Sequence, residues 1–186
     1  MTVSSGEIKR NMTILLDGEV YRILDWQHRQ APKAPPTLTI KARNLNTGNV
    51  FEKKLPGSHK LTLAPTESRQ CQYLYADKDV YAFMDSENYE QYELSKALIA
   101  DALPYIREGD HINVVFYNDN PLYVELPASV TLEISFAEVG VRGDTQGSVT
   151  KNATTETGLN VQVPLFIKEG DKINVNTQTG EYIGRA

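Results

Sequence analysis

The side chains that could do chemistry in this chain are few and stand far apart. His28, His59 and His111 fall in different expected strands or turns, and none has a partner at metal-ligand spacing. His28 and His59 read as solvated surface residues rather than general bases. The single cysteine, Cys71, lies beside a Tyr73-Leu-Tyr75 strand and reads as a small packing residue. One cysteine makes neither an internal disulfide nor a multi-cysteine zinc site. Asp77, Asp79, Asp85, Glu87 and Glu90 lack the glycine and spacing of a calcium-binding loop and read as solvated loop charge. Gly140-Val-Arg-Gly143 precedes no Lys-Ser or Lys-Thr pair and no helix, so no phosphate loop is expected. No metal, cofactor or catalytic group is therefore expected, and a self-contained enzyme is disfavoured. What remains is Lys33. It is the one charge in Ala31-Pro-Lys-Ala-Pro-Pro36, with Arg29, Lys41 and Arg43 expected nearby. An ammonium on a proline-stiffened loop loses little backbone entropy when it meets a phosphate or a ribose.

The elements that must carry Lys33 read as short strands and turns. Met12-Thr-Ile-Leu-Leu16, Asp17-Gly18 and Val20-Tyr-Arg-Ile-Leu24 form a hairpin signal, because Asp-Gly supplies the positive φ of a tight turn. Thr37–Arg43 alternates strictly, with Leu38, Ile40 and Ala42 on one face and Lys41 and Arg43 on the other. It turns at Asn46-Thr-Gly48 and returns through Val50–Lys53. Between these hairpins, Arg29–Pro36 is expected to protrude unpaired, since proline donates no ladder hydrogen bond. Pro56-Gly57 reads as a turn. Further strands are expected at Tyr73–Tyr75, Val80–Met84, Ile112–Tyr117 and Leu122–Leu126. One helix is expected, capped by Ser95, with Leu98, Ile99, Ala102 and Leu103 on one face and Pro104 as its stop.

With 186 residues, 40% apolar and 23% charged, the composition is that of an ordinary globular protein of one or two average domains. No apolar run approaches the ~20 residues of a membrane span. Residues 1–10 carry no apolar stretch, so no secretory leader is expected and the cytosol is the economical location. The net charge of −5 conceals a division: residues 1–64 carry +5, residues 65–128 carry −8 and residues 129–186 carry −2. A basic first unit suits a polyanion, although chance clustering of solvated charge gives the same numbers.

An internal repeat sets the expected architecture. Ile106-Arg-Glu-Gly-Asp-His-Ile-Asn-Val114 matches Ile167-Lys-Glu-Gly-Asp-Lys-Ile-Asn-Val175 at seven of nine positions, 61 residues apart. In each copy Glu-Gly-Asp makes the turn and Ile-x-Val enters a strand. That offset suits a small five-stranded barrel, so the second and third units are expected to be copies of one fold. Three all-β units result: 1–64, 65–128 and 129–186, each small for a single core and expected to pack on its neighbours.

The whole chain resembles bacterial elongation factor P. The resemblance runs through Asp17-Gly-Glu19, Trp26-Gln-His28, Asn44-Leu-Asn-Thr-Gly48, Phe83-Met-Asp85 and Asn88-Tyr-Glu-Gln-Tyr92. It continues through Phe116-Tyr-Asn118, Val124-Glu-Leu-Pro127, Gly143-Asp-Thr145, Thr157-Gly158, Val161-Gln-Val-Pro-Leu-Phe-Ile167 and Thr179-Gly-Glu-Tyr182. It implies three β-barrel domains in an extended tRNA-like arrangement, the first KOW-like and the others OB-fold-like. It implies a monomeric, cytoplasmic, non-enzymatic factor that binds the ribosome beside the peptidyl-tRNA and relieves stalling at consecutive prolines. On this resemblance Lys33 matches the family's tip residue, which reaches the tRNA acceptor end and is often enzymatically modified. Arg29, Gln30, Ala31, Pro32, Ala34 and Pro35 form its supporting loop. Gly143, Asp144 and Thr145 match a loop near the exit-site codon, and Tyr182 and Arg185 match residues near the tRNA stem.

Two positions depart from the family. Its tip commonly reads Pro-Gly-Lys-Gly, where this chain has Pro32 and Ala34 around Lys33; its Lys-Pro-Ala stands here as Lys151-Asn-Ala153. Whether a modifying enzyme is also a partner stays open at this point. So do an elongation-factor-P-like paralogue and an RNA-binding or chaperone module acting off the ribosome. In the last case the ten tyrosines would stack bases. Tyr73, Tyr75, Tyr81, Tyr89 and Tyr92, however, lie in the most acidic unit, where core packing suits most of them better.

Overall fold

A computed structural model describes residues 1–140 and 149–186. The chain is nearly all β, in three sheets. The first contains β1 (Thr2–Val3), β2 (Thr13–Leu16), β3 (Glu19–Ala31), β4 (Ala34–Asn44), β5 (Val50–Pro56) and β6 (Leu61–Leu63), in the order β1-β6-β2-β3-β4-β5. Asp17 and Gly18 take φ of 53° and 83°, and Leu16 pairs with Glu19, so the β2–β3 hairpin closes as its sequence requires. Ile14, Ile23, Leu38, Ile40 and Leu61 form the heart of this core, the alternate residues of their strands.

The second sheet contains β7 (Glu67–Asp77), β8 (Val80–Asp85), β9 (Gln91–Ser95), β10 (His111–Tyr117) and β11 (Asn120–Glu125), in the order β11-β10-β7-β8-β9. The third contains β12 (Ser129–Ala137), β13 (Thr150–Thr155), β14 (Asn160–Pro164), β15 (Lys172–Asn176) and β16 (Tyr182–Arg185), in the order β14-β13-β12-β15-β16. Matching β7 to β12, β8 to β13 and onward makes the two topologies the same. In both, the outer strands curl back beside each other.

The nine-residue repeat explains why. Gly109 and Gly170 take φ of 90° and 84°, and Asp110 and Asp171 each accept the backbone N–H three residues earlier at 2.9 Å. The amide of Gly109 then bonds Tyr73 O at 2.7 Å and that of Gly170 bonds Ile134 O at 2.8 Å. Tyr73 and Ile134 are themselves 61 residues apart, so one turn docks each copy onto its own first strand.

Three expectations are corrected. The helix is a single turn, α1 (Lys96–Ile99), followed by a 3-10 turn at Leu103–Tyr105. Ser95 makes no capping bond, and Pro104 opens the second turn, where its missing N–H costs nothing. Leu98, Ile99 and Ala102 are nonetheless buried. Asp85 is not solvated: it is buried and its carboxylate accepts the amides of Glu87 and Asn88, shaping the β8–β9 turn. The third correction is that Arg29–Pro36 pairs instead of forming a free loop.

Candidate nucleic-acid interface

β3 and β4 run paired to their ends. Arg29 faces Thr37, Ala31 faces Ala34, and only Pro32 and Lys33 make the turn. Between those two pairs, one residue (Gln30) lies opposite two (Pro35 and Pro36), a bulge that needs no ladder donor from proline. The prolines also force extended backbone on the residues before them, which suits a strand. The same chemistry that forbids pairing in the middle of a sheet therefore stiffens the end of this ribbon. Pro32 fixes φ at the first turn position, and Lys33 does not take the left-handed conformation, so this tip closes without glycine.

The ribbon leaves the body at a braced point. β5 pairs with β4 as far as Thr37 and Pro56, and the Gly57 amide then donates to Pro36 O at 2.7 Å. A Cβ on Gly57 would lie 2.6 Å from Pro36 Cβ and 2.9 Å from its carbonyl carbon, so only glycine fits. Every residue from Gln27 to Pro36 is exposed, including Arg29, Gln30, Ala31, Pro32, Lys33, Ala34 and Pro35. Among the described residues, Arg29 and Lys33 enter no ion pair.

The expected neighbourhood of Lys33 is smaller than its sequence context indicates. Lys41 and Arg43 lie eight and ten positions away along β4, roughly 26 and 33 Å in an extended strand. Arg43 instead pairs with Asp101 of the second unit at 3.0 Å. Arg29 is the cation that stays beside the tip.

The other residues named from sequence fall elsewhere. Tyr182 and Arg185 lie on β16, in a different sheet from Lys33. Tyr182 packs against the third core, and Arg185 bridges Asp171 at 3.0 Å with its side chain still 60% exposed. Gly143, Asp144 and Thr145, and with them Val141 and Arg142, lie outside the described residues. His28, His59 and His111 are exposed, and the described residues hold no cluster of three or more His, Cys, Asp or Glu that would hold a metal. Cys71 is buried; burial, with Asp85 adding, pushes its thiol up to about 11, so it is protonated and inert at neutral pH. Tyr73, Tyr81 and Tyr92 pack in or against the second core, whereas Tyr75 and Tyr89 are exposed.

Sequence reasoning missed how the first two units join. Thr13, Arg22 and Arg43 face one another across β2, β3 and β4, forming a single cross-strand row. All three land on the second unit. Thr13 Oγ1 and Tyr123 Oη are hydrogen-bonded at 3.3 Å, and the Arg22 guanidinium lies 4.2 Å from the centre of the Tyr123 ring. Arg22 Nε donates to Asn11 at 3.0 Å, and burial lowers the pKa of this arginine, with Tyr123 and Asp101 opposing that effect. Val20, Leu45 and Ala64 of the first unit join the second core. The partners are separated by 58 to 110 residues and carry no local signal.

Comparison with known proteins agrees along the whole chain. Residues 4–61 match the elongation factor P KOW-like domain, residues 66–124 the elongation factor P OB domain, and residues 130–185 the elongation factor P C-terminal domain. Elongation factor P of Natranaerobius thermophilus is 44% identical over 183 residues, 98% of this chain and 97% of the relative. That of Desulfitobacterium hafniense (strain DSM 10664 / DCB-2) is 41% identical over 184 residues, 99% and 100%. That of Mycobacterium avium is 40% identical over 182 residues, 98% and 97%. Three matched units on three β-sheets define an all-β translation factor. The chain belongs to the elongation factor P family.

Proposed function

We propose that this factor binds the ribosome beside the peptidyl-tRNA and steadies the tRNA acceptor end with Lys33, accelerating peptide-bond formation at consecutive prolines. The observation that carries the reading is the β3–β4 ribbon: stiff, exposed and tipped by an ammonium that has no ion partner among the described residues. Proline is a rigid secondary amine, so donor and acceptor seldom meet in a reactive arrangement. Holding one of them in a near-attack geometry removes part of that barrier with no covalent step by the factor. The chemistry stays with the ribosome, and Lys33 with Arg29 supplies counter-charge to the terminal phosphates.

In this reading residues 1–64 form the tRNA-facing domain, 65–128 an acidic spacer and 129–186 the domain toward the exit site, in a tRNA-like arrangement in the cytoplasm. Gly143, Asp144 and Thr145 meet the exit-site codon. Tyr182 and Arg185 meet the tRNA stem, Arg185 through a guanidinium that stays exposed while bridging Asp171. The proline-rich tip needs no glycine to close, which favours a bare Lys33 over one shaped for a modifying enzyme.

The test is a reconstituted translation system programmed with consecutive prolines. Lys33→Ala slows the proline steps by about tenfold or more and leaves the thermal midpoint at its native value. An unchanged rate through the prolines in the folded variant overturns the reading.

A further inference from the structure

Arg22 and Arg43 of the row Thr13–Arg22–Arg43 lie on β3 and β4, the two strands that meet at Lys33, which raises the question of what sets the ribbon's direction. The apolar part of the joint, Val20, Leu45 and Ala64 in the second core, holds the units together without fixing an angle, because hydrophobic contact is non-directional. The polar part is directional. A planar guanidinium lies over the Tyr123 ring, its Nε held by Asn11, while Tyr123 Oη bonds Thr13 and Asp101 receives Arg43. Three contacts on three adjacent strands resist rotation about two axes.

The row is also poor chemistry for the first sheet alone. Arg22 and Arg43 face each other across β3 and β4, and like charges directly opposite destabilise a strand pair. Arg43 Nε is buried without a hydrogen-bond partner. The seat on Tyr123 and Asp101 offsets that repulsion, with a ring face under one guanidinium and a carboxylate on the other, although Arg43 Nε stays unpartnered there.

We propose that Arg22 and Arg43, seated on Tyr123 and Asp101, are positioning residues: they fix the angle at which the ribbon leaves the second unit and so place Lys33. Eleven positions separate Arg22 from Lys33, a lever of about 35 Å, over which a rotation of about 10° moves the tip by about 6 Å. Positional catalysis tolerates far less, since an error of about 1 Å can cost about a hundredfold. The inference rests on the reading of Lys33 above, and its test separates the two.

Nitroxide labels on Gln27→Cys of the ribbon and Asp77→Cys of the second unit report the angle as a distance distribution; both positions are exposed and buried Cys71 stays unlabelled. Arg22→Lys keeps the charge and loses the guanidinium over the ring, and Tyr123→Leu loses the ring. Both broaden the distribution and lower the saturating rate of proline–proline synthesis by about tenfold, with little change in the half-saturating factor concentration. A variant that was merely less folded would instead need more factor to reach the native saturating rate. Tyr123→Phe keeps the ring face and restores most of the rate. Asp101→Asn, at a carboxylate 68% exposed, gives a smaller shift in the same direction and serves if Tyr123→Leu does not fold. A native distribution in Arg22→Lys and Asp101→Asn, or a broad one with the native rate, overturns the proposal. If Lys33→Ala is without effect in the otherwise native protein, the functional reading fails, while the distances still decide whether the row sets the angle.

Discussion

Lys33 and Cys71 mark opposite ends of what a residue's surroundings do to its chemistry. Lys33 stands exposed at the ribbon's tip, and its value comes from being placed; Cys71 loses its chemistry by being buried. The Cys71 thiol, pushed up to about 11, keeps its proton in the folded protein where the unfolded chain releases it from its ordinary value of 9.0. Between those values the unfolded state binds fewer protons, so stability falls as pH rises from about 9 toward 11. Burial raises the Tyr73 hydroxyl in the same direction. The expected outcome is a urea midpoint that drops between about pH 8 and about pH 10.5, and drops less in Cys71→Ala. A second consequence is that iodoacetamide leaves Cys71 unmodified in the native protein and labels it on unfolding; mass spectrometry of the intact chain checks this. Cys71 was legible from its type and its strand. Asp85 was not, because an acidic residue reads as exposed until the turn it organises is seen.

At the scale of the element, the ribbon shows where sequence rules reach and where they stop. Its existence followed from alternation and from three prolines around a lysine, but its pairing did not. Proline removes one donor, and a bulge with a missing donor at its unpaired position keeps the ladder intact to Ala31 and Ala34. The brace at its base was hidden because Gly57 and Pro36 are twenty-one positions apart. Gly57→Ala forces its new Cβ against the Pro36 backbone. It is expected to cost about 1 to 3 kcal/mol, read from a denaturation midpoint, and to slow proline steps beyond what the stability loss explains. Replacing Pro35 and Pro36 by Gly tests stiffness separately. Both rings are exposed and a glycine at position 36 keeps the carbonyl that accepts the Gly57 amide, so the thermal midpoint changes slightly while proline synthesis falls, because the freed ribbon must be ordered on binding. The repeat was legible for the converse reason. Glu-Gly-Asp encodes its turn within four residues, so two copies announce two equivalent barrels without any long-range information.

Across the whole molecule, the two joints between units differ in kind, and the difference governs how the protein unfolds. The first joint sends Val20, Leu45 and Ala64 into the core built around Phe83, Leu94 and Phe116, so neither of the first two units can open without exposing the other. The second joint is mainly polar. Thr157 Oγ1 donates to Pro104 O at 2.6 Å and Thr177 Oγ1 bonds Pro127 O, while Arg107 pairs with Glu156 at 2.8 Å and Tyr105 packs against the third core. Both members of that ion pair are partly exposed, so it contributes about 1 kcal/mol or less. The third unit is therefore expected to melt on its own while the first two melt together. Calorimetry of the full chain should resolve two transitions. Leu94→Ala, in the second core, costs about 2 to 5 kcal/mol and lowers the transition that includes loss of the β3–β4 ribbon. Leu132→Ala, in the third core, lowers only the other. Hydrogen exchange assigns the transitions, since the β3–β4 amides should follow the first variant and ignore the second. A single transition moved by both substitutions would mean that the polar joint couples all three units.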